Sequence, residues 1–462
     1  MDNMMERRAF IKLSLALSGA VLMPQFTYAK TVDLSKINFS TPSSSVQTIL
    51  IFLYGGASQL SGNITNIDEI NEASQNKYTS YFTGNYSMTK TANGCWEEAG
   101  GTEIEDMLNS GDMTLFRTCF SEYRESINLK SHGVCASQNQ KGSFDSDNAG
   151  MITNLAQVLE ANGAVDTNHF MPFVTMEGES QFYMVGSTPL NSYLKPVGVD
   201  RELKNPYERN AREWLFYTEE EKKLAPKTYS KSDDKGGFDP ALDASMTALA
   251  QENNSDTRIK DAFTKRELLA KKMEEIAKIE TPNLGADAYP KDSKFAKTLQ
   301  SAIKILKHNS DTKVITMTGS SGLGGWDDHS NSKDYIARSQ KLFHTLKSAV
   351  AHLKAENKID EVSIMVFAEF GRGVNLNSAH GWDHGNLQNL YVLGGKGYLN
   401  HKGVVGETSL SNEGNVHRLY LKPKTGSYAF EPLSIASTLY KMHGIQNPEE
   451  LTGYPAITPL FS

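Results

Sequence analysis

Apolar residues form short unbroken runs in some parts of this chain and recur at every third or fourth position in others. Ile49 to Leu53 is such a run within a strand candidate over Val46 to Leu53 that ends in Tyr54-Gly55-Gly56-Ala57-Ser58, the pattern of a buried strand that runs into glycines. Met113 to Thr118 is a second strand candidate and Phe170 to Met176 a weaker third, with helical spacing over Ala149 to Leu159 between them. Downstream, Ile259, Ala262, Phe263, Leu269, Met273, Ile276 and Ala277 recur at helical spacing, as do Phe295, Leu299, Ala302, Ile303 and Leu306. Core packing accounts for both stripes.

The last third is the most regular. Lys313 to Thr318 predicts a strand; Ile336, Leu342, Phe343, Leu346, Val350 and Leu353 mark an amphipathic helix that ends near Asn357; Val362 to Phe367 predicts the next strand. Strand, helix and strand joined by short links form a βαβ unit, so the expected fold class is α/β, a doubly wound, mostly parallel sheet with helices on both faces. Leu390 to Leu393 adds a short strand before Gly394-Gly395, and Ser434 to Tyr440 a terminal helix.

Segments without this periodicity set the boundaries. Residues 1–29 read as an export signal: Arg7-Arg8-Ala9-Phe10-Ile11-Lys12, an apolar run from Leu13 to Met23 too short to span a bilayer, then Pro24 and Thr27-Tyr28-Ala29. The paired arginines with Phe10 and Lys12 resemble a twin-arginine (Tat) signal, which implies the Tat translocase as a transient partner and the periplasm, the cell surface or the medium as the destination. Residues 30–45 are polar and read as an extended leader. A charged stretch from Pro189 to about Gly237 has little periodicity and reads as an insertion, so about 180–290 is expected to hold inserted segments and helices.

Composition narrows the partners. The 462-residue chain carries a formal charge of −7, and residues 1–29 (Asp2, Glu6, Arg7, Arg8, Lys12) contribute +1, so the mature part is more acidic still. That balance argues against nucleic acid as a partner. No later apolar run is long enough for a stable membrane span. Three cysteines, Cys95, Cys119 and Cys135, allow one disulfide, leave at least one thiol unpaired, and lack CxxC spacing.

The candidate chemistry lies where strands end. Gly325-Trp326-Asp327-Asp328-His329 follows the strand at Lys313 to Thr318, and Glu369-Phe370-Gly371-Arg372 and Gly381-Trp382-Asp383-His384-Gly385-Asn386 follow Val362 to Phe367. Carboxylates and imidazoles at the carboxyl ends of parallel strands suit a divalent metal, zinc or manganese rather than calcium. Asp327, His329, Asp383 and His384 are the ligand candidates, with Glu369 beside them. Arg372 either pairs with Glu369 or clamps an anionic substrate through its planar fork. Asn375, Asn377 and His380 lie between the two clusters and are placed to orient them. In Lys130-Ser131-His132-Gly133, Ser131 is an eligible nucleophile near a helix N-terminus, as are Cys135 and Ser137, and His132 is a ligand, a general acid or a structural histidine. His344 and His352 fall within the amphipathic helix and are expected to face solvent.

These residues carry a resemblance. Gly-Gly-Ala-Ser-Gln-Leu from Gly55, Ser131-His132, Gly-Trp-Asp-Asp-His from Gly325, Glu-Phe-Gly-Arg from Glu369, Asn377 and Gly-Trp-Asp-His-Gly from Gly381 occur in the order seen in a bacterial family of unknown function, domain of unknown function 1501. That family is commonly Tat-exported and is placed by similarity in the alkaline phosphatase and sulfatase superfamily. The resemblance implies an alkaline phosphatase-like domain over 46–462 and, in active members, two metal ions flanking a phosphate or sulfate ester. It implies an exported metal-dependent hydrolase of such a monoester, whose partner is an anionic ester, small molecule or glycan; the alternative is a catalytically degenerate member serving as a binding or assembly protein. One departure stands out: the loop from Gly55 to Asn63 contains Ser58, Ser61 and Asn63 but no carboxylate, where family members usually carry an acidic residue.

Overall fold

The structure, a computed structural model, describes residues 32–74, 88–178, 180–186, 190–203, 268–269, 271–411 and 419–462. The export signal over 1–29, Ile259, Ala262 and Phe263, and residues 204–237 of the proposed insertion lie outside the described residues. Ten strands are described: β1 Gln47–Leu53, β2 Met113–Cys119, β3 Phe173–Thr175, β4 Val197–Gly198, β5 Val314–Thr318, β6 Val362–Ala368, β7 Gln388–Gly394, β8 Gly403–Val405, β9 Thr408–Ser411 and β10 Tyr420–Pro423. Eight of them form one sheet in the order β4-β3-β5-β1-β6-β7-β2-β8, and β9 pairs with β10 in a separate antiparallel ribbon.

All neighbours in the large sheet run parallel except those that flank β7, which is antiparallel to both β6 and β2. The sheet is therefore mixed and mostly parallel. β1 is central, with Thr48 opposite Val314 of β5 on one side and Ser363 of β6 on the other. Its alternate residues enter different cores, as a strand's two-residue period requires. Ile49, Ile51 and Leu53 pack with α1 Gly101–Asn109, α5 Lys294–His308 and α6 Lys333–Ala355; Leu50 and Phe52 pack with α4 Met151–Ala161 and α7 Ser434–Met442. Two covered faces explain why Ile49 to Leu53 reads as an unbroken apolar run. Two further helices shape the site, α2 Glu122–Ser126 and α3 His132–Lys141.

The polar leader is tied down before β1 begins. Phe39 bridges Ile445, Ser40 N–H donates to the Gly444 carbonyl at 2.9 Å, and Asn38 exchanges bonds with Gln446 and Asn447 just past α7. His352 departs from expectation, being buried at 1 % exposure with its Nδ1 3.1 Å from the Tyr289 hydroxyl. The cause is a segment laid across α6: Ala288 accepts from Ser348 and meets His344, so that face of the helix is covered. All three cysteines are free and buried. Among the described residues no helix is long and apolar enough to cross a membrane.

Candidate metal centre

The carboxyl end of β1 sets the position of everything else. Gly55 has φ +109°, and a Cβ there would lie 2.5 Å from the Asp327 nitrogen, so the loop after β5 rests directly on its backbone. Trp326 anchors that loop. It is buried, its backbone N–H donates to the Tyr54 carbonyl at 3.1 Å and its indole N–H to the Gly319 carbonyl at 3.2 Å. Trp382 does the same for the second cluster, fully buried and donating to the Asp328 carbonyl at 2.8 Å. Both indoles pack edge-on against Tyr335, with centroid separations of 6.2 and 5.2 Å. Gly381 completes the lacing, since a Cβ there would meet the His329 carbonyl carbon at 2.1 Å. The two Gly-Trp-Asp motifs thus form one folded unit, and the residues after each tryptophan face a common point.

Four side chains converge there. One ligand atom from each of His132, Asp327, His329 and His384 lies within 4.8 Å of every other. His329 Nε2 is 2.8 Å from His384 Nε2 and 3.1 Å from Asp327 Oδ1, and His132 Nε2 is 3.3 Å from the same oxygen. Tetrahedral ligands about zinc, at about 2.0–2.1 Å from the ion, stand roughly 3.3 Å apart, so these spacings match one small cation.

The outward nitrogens of two rings are committed. His384 Nδ1 lies 2.6 Å from the Lys130 carbonyl oxygen, which can only accept, so the proton sits on Nδ1 and the Nε2 lone pair faces inward. Burial holds the His384 ring pKa down to about 4, with the Arg372 charge adding to the effect, which keeps the ring neutral. His132 Nδ1 hydrogen-bonds Glu369 Oε1, leaving His132 Nε2 buried without a hydrogen-bond partner. With its proton on Nδ1 the ring presents a lone pair at Nε2, and a lone pair facing a carboxylate is stabilised by a cation placed between them. The donor set, imidazole nitrogens with one carboxylate, therefore fits zinc or manganese.

Glu369 and Asp383 stand one layer out from this point. Glu369, at the end of β6, is 2 % exposed; burial pushes its carboxyl pKa up, partly offset by His132 and by the Gly55 N–H at 3.0 Å. Its backbone carbonyl accepts from Arg124 of α2 and Asn139 of α3, which fixes the helix that presents His132. Asp383 Oδ1 is 3.9 Å from His329 Nδ1 and 3.4 Å from the Asn377 amide nitrogen, and Asn377 also donates to the His329 carbonyl. Carboxylates behind ligating histidines fix ring orientation and raise basicity.

Arg372 is buried and spends its donors internally, on the carbonyls of Gly55, Gly56, Trp326 and Trp382 and on Asp327, with Nη1 also 3.3 Å from His329 Nε2. Its partner is Asp327 rather than Glu369. Burial pushes the Asp327 carboxyl up, but Arg372 and the nearby His132 and His329 outweigh that and hold it below the usual carboxylate range. Asp328 turns away, and both its buried carboxylate oxygens accept from the single Arg338 Nη1, at 3.0 and 3.1 Å. Ser131 is the exposed N-cap of α3, Ser137 lines the adjoining cleft, and Cys135 is buried with its thiol pushed up by burial. His380 and Asn375 act in the surrounding loops, through a Ser330–His380 bridge and a bond from Leu419 N–H to Asn375.

The loop lacking a carboxylate is committed to packing. Ser58 accepts through its carbonyl from Tyr335, Ser61 bonds Tyr335 and Ser339 of α6, and Asn63 donates to Thr408. Asp68 pairs with Lys90 on the surface. A cleft of about 720 Å³ opens beside the four convergent residues, lined by Tyr54, His132, Ser137, Gln140, Ser320 and Asp327 among others. Glu177 escaped the sequence reading, although a carboxylate shortly after a strand is the same signal that Glu369 gives.

Matches among solved structures include Ps i-CgsB in complex with k-i-k-neocarrahexaose, at TM-score 0.39 and 10 % identity over 89 % of this chain and 75 % of that one. The C-terminal periplasmic domain of EcEptC from Escherichia coli, in complex with Zn, gives TM-score 0.36 and 9 % identity over 89 % and 86 %. Alkaline phosphatase from the Antarctic bacterium TAB5 gives 0.33 and 11 % over 87 % and 99 %. No curated protein sequence matches the chain. Residues 46–445, which span both Gly-Trp-Asp clusters and the strands that carry them, match the model for DUF1501, a protein family of unknown function, and the chain belongs to that family.

Proposed function

We propose that this chain is an exported hydrolase of a phosphate or sulfate monoester that uses one divalent cation, zinc or manganese, held by His132, Asp327, His329 and His384. The observation that carries the reading is the convergence of three imidazole Nε2 atoms on one ionised carboxylate, with the His132 nitrogen buried and otherwise unpartnered. A cation bound there would polarise an ester oxygen and lower the pKa of a coordinated water. The protein's own groups do the rest. Glu369 and the Lys130 carbonyl hold the proton of His132 and His384 on Nδ1, Arg372 keeps Asp327 ionised, and the adjoining cleft takes the ester. Arg372 acts by positioning the loops, since its donors are engaged by the protein.

Metal content of protein recovered from the periplasm without chelators tests this. One equivalent of zinc or manganese, together with hydrolysis of p-nitrophenyl phosphate or p-nitrophenyl sulfate that a chelator removes and the metal restores, is the expected result. Protein that holds no metal and gains no activity from either ion would sink the proposal. A second reading, a binding or assembly protein without turnover, is favoured by the missing carboxylate between Gly55 and Asn63, whose serines pack against α6. It predicts bound metal with neither ester hydrolysed.

A further inference from the structure

We propose that the cleft ends in a subsite for a neutral, hydroxyl-rich group, a sugar ring, built by Glu177, Ser180 and Ser320. Both carboxylate oxygens of Glu177 and the hydroxyls of Ser180 and Ser320 are buried, and among the described residues none has a partner at full hydrogen-bonding geometry, although Thr316, Ser180 and Tyr54 approach Glu177. Native interiors leave few such atoms unpaired, and four from neighbouring loops of one sheet edge point to a ligand whose own groups complete them. Topology places them together. Glu177 and Ser180 follow β3, Ser320 follows β5 and Tyr54 follows β1, three strands adjacent in the sheet. Ser180, Ser320 and Tyr54 line the same cleft as His132 and Asp327, and Glu177 stands behind that wall against Ser180 and Tyr54.

The lining has a consistent chemistry. Gln140 spans it, accepting from the Gln181 N–H and donating to the Tyr54 hydroxyl, both at 2.9 Å. Together with Ser137 and Gly325 these residues present amides, hydroxyls and backbone, and among the described residues no lysine or arginine lines the wall. Such a surface suits a neutral partner that both donates and accepts. Adjacent ring hydroxyls can donate to the two oxygens of one carboxylate while accepting from serine hydroxyls. Burial raises the Glu177 carboxyl to about 7, tempered by Thr316, Ser180 and Tyr54 nearby, so near neutrality it is able to accept from a hydroxyl or donate to one.

The inference rests on the hydrolase reading for the ester half of the substrate, which would make that substrate a sugar phosphate or sulfate; the hydroxyl subsite stands on its own residues. The test is titration of the full chain with neutral D-glucose, D-galactose and D-mannose, followed by saturation-transfer NMR, for wild type, Glu177→Leu and Ser320→Ala. Wild type should bind at least one hexose saturably, with binding weakened at least about tenfold in each variant. Glu177→Leu replaces an unpartnered carboxylate by an apolar side chain of similar size and should remain folded; were it not to fold, Ser320→Ala decides. No saturable binding of any of the three hexoses, or variants that bind like wild type, overturns the subsite and leaves water as the partner of these atoms. Metal-dependent hydrolysis of p-nitrophenyl phosphate without hexose binding removes this inference alone, whereas hexose binding without hydrolysis of either p-nitrophenyl ester removes the hydrolase reading.

Discussion

A histidine buried without a countercharge ties the stability of this chain to pH in a fixed direction. His443 is 3 % exposed with Nε2 3.2 Å from the Thr48 hydroxyl, and burial, aided by the Lys313 charge, holds its pKa down to about 3. Its folded pKa lies below the unfolded value of about 6.5, so between the two the unfolded chain binds more protons and stability rises with pH. The contribution is complete above about pH 6.5 and is lost as pH falls toward 3. Denaturant unfolding of wild type and His443→Gln between pH 7 and pH 5 should show the wild type losing more, by up to about 1.4 kcal/mol per pH unit. Equal pH slopes would refute this. Asp383 makes a second expectation. Since it stands behind His329, Asp383→Asn should weaken zinc affinity by roughly ten- to hundredfold, while Asp327→Asn, which changes a ligand of the proposed centre, should weaken it further. Competition with a chromophoric chelator measures both. The sequence showed which residues cluster, but not that Glu369 and Asp383 stand behind histidines, because adjacency along the chain does not encode which side chain reaches inward.

At the scale of elements, the site depends on two loops touching through Gly55. Gly55→Ala puts a methyl group 2.5 Å from the Asp327 nitrogen at a left-handed backbone position, so it should cost roughly 2 kcal/mol or more and weaken zinc binding by displacing Asp327. Thermal unfolding with and without zinc reads both effects, and a variant with wild-type stability and zinc response would show that the loops are not in contact. The strands were legible because burial on two faces writes itself as unbroken apolar runs: Gln47–Leu53, Val314–Thr318 and Val362–Ala368 each fall within two residues of the run that predicts them. The direction of β7 was not. Leu390 to Leu393 is apolar in either orientation, and its antiparallel course follows from the links at its ends. His352 was misplaced because the residues that cover it, Ala288 and Tyr289, come from a distant segment that helical periodicity does not see.

At the scale of the whole molecule, the leader and the last long helix share a seam. Removing residues up to 45 severs the Phe39–Ile445 bridge and the Ser40–Gly444 bond, and should lower the unfolding temperature by roughly 2–4 °C. An unchanged temperature would mean that the seam contributes nothing. Export adds a test of its own. Arg7→Lys with Arg8→Lys should leave the precursor in the cytoplasm, and an undiminished periplasmic yield would exclude the twin-arginine route. The register of β1 has a consequence in time. Its Thr48 hydroxyl bonds Ser363 across 315 residues of chain, and Gln47 bonds the Asn309 carbonyl across 262. At synthesis rates of about 20 residues per second, the central strand leaves the ribosome roughly 15 seconds before β6 exists to cover its edge. Until β5 is made an apolar strand waits with both edges open, and until β6 is made with one, so a translational pause before residue 362 exposes the nascent chain to self-association, and the burden of preventing it falls on whatever holds the chain as it is made.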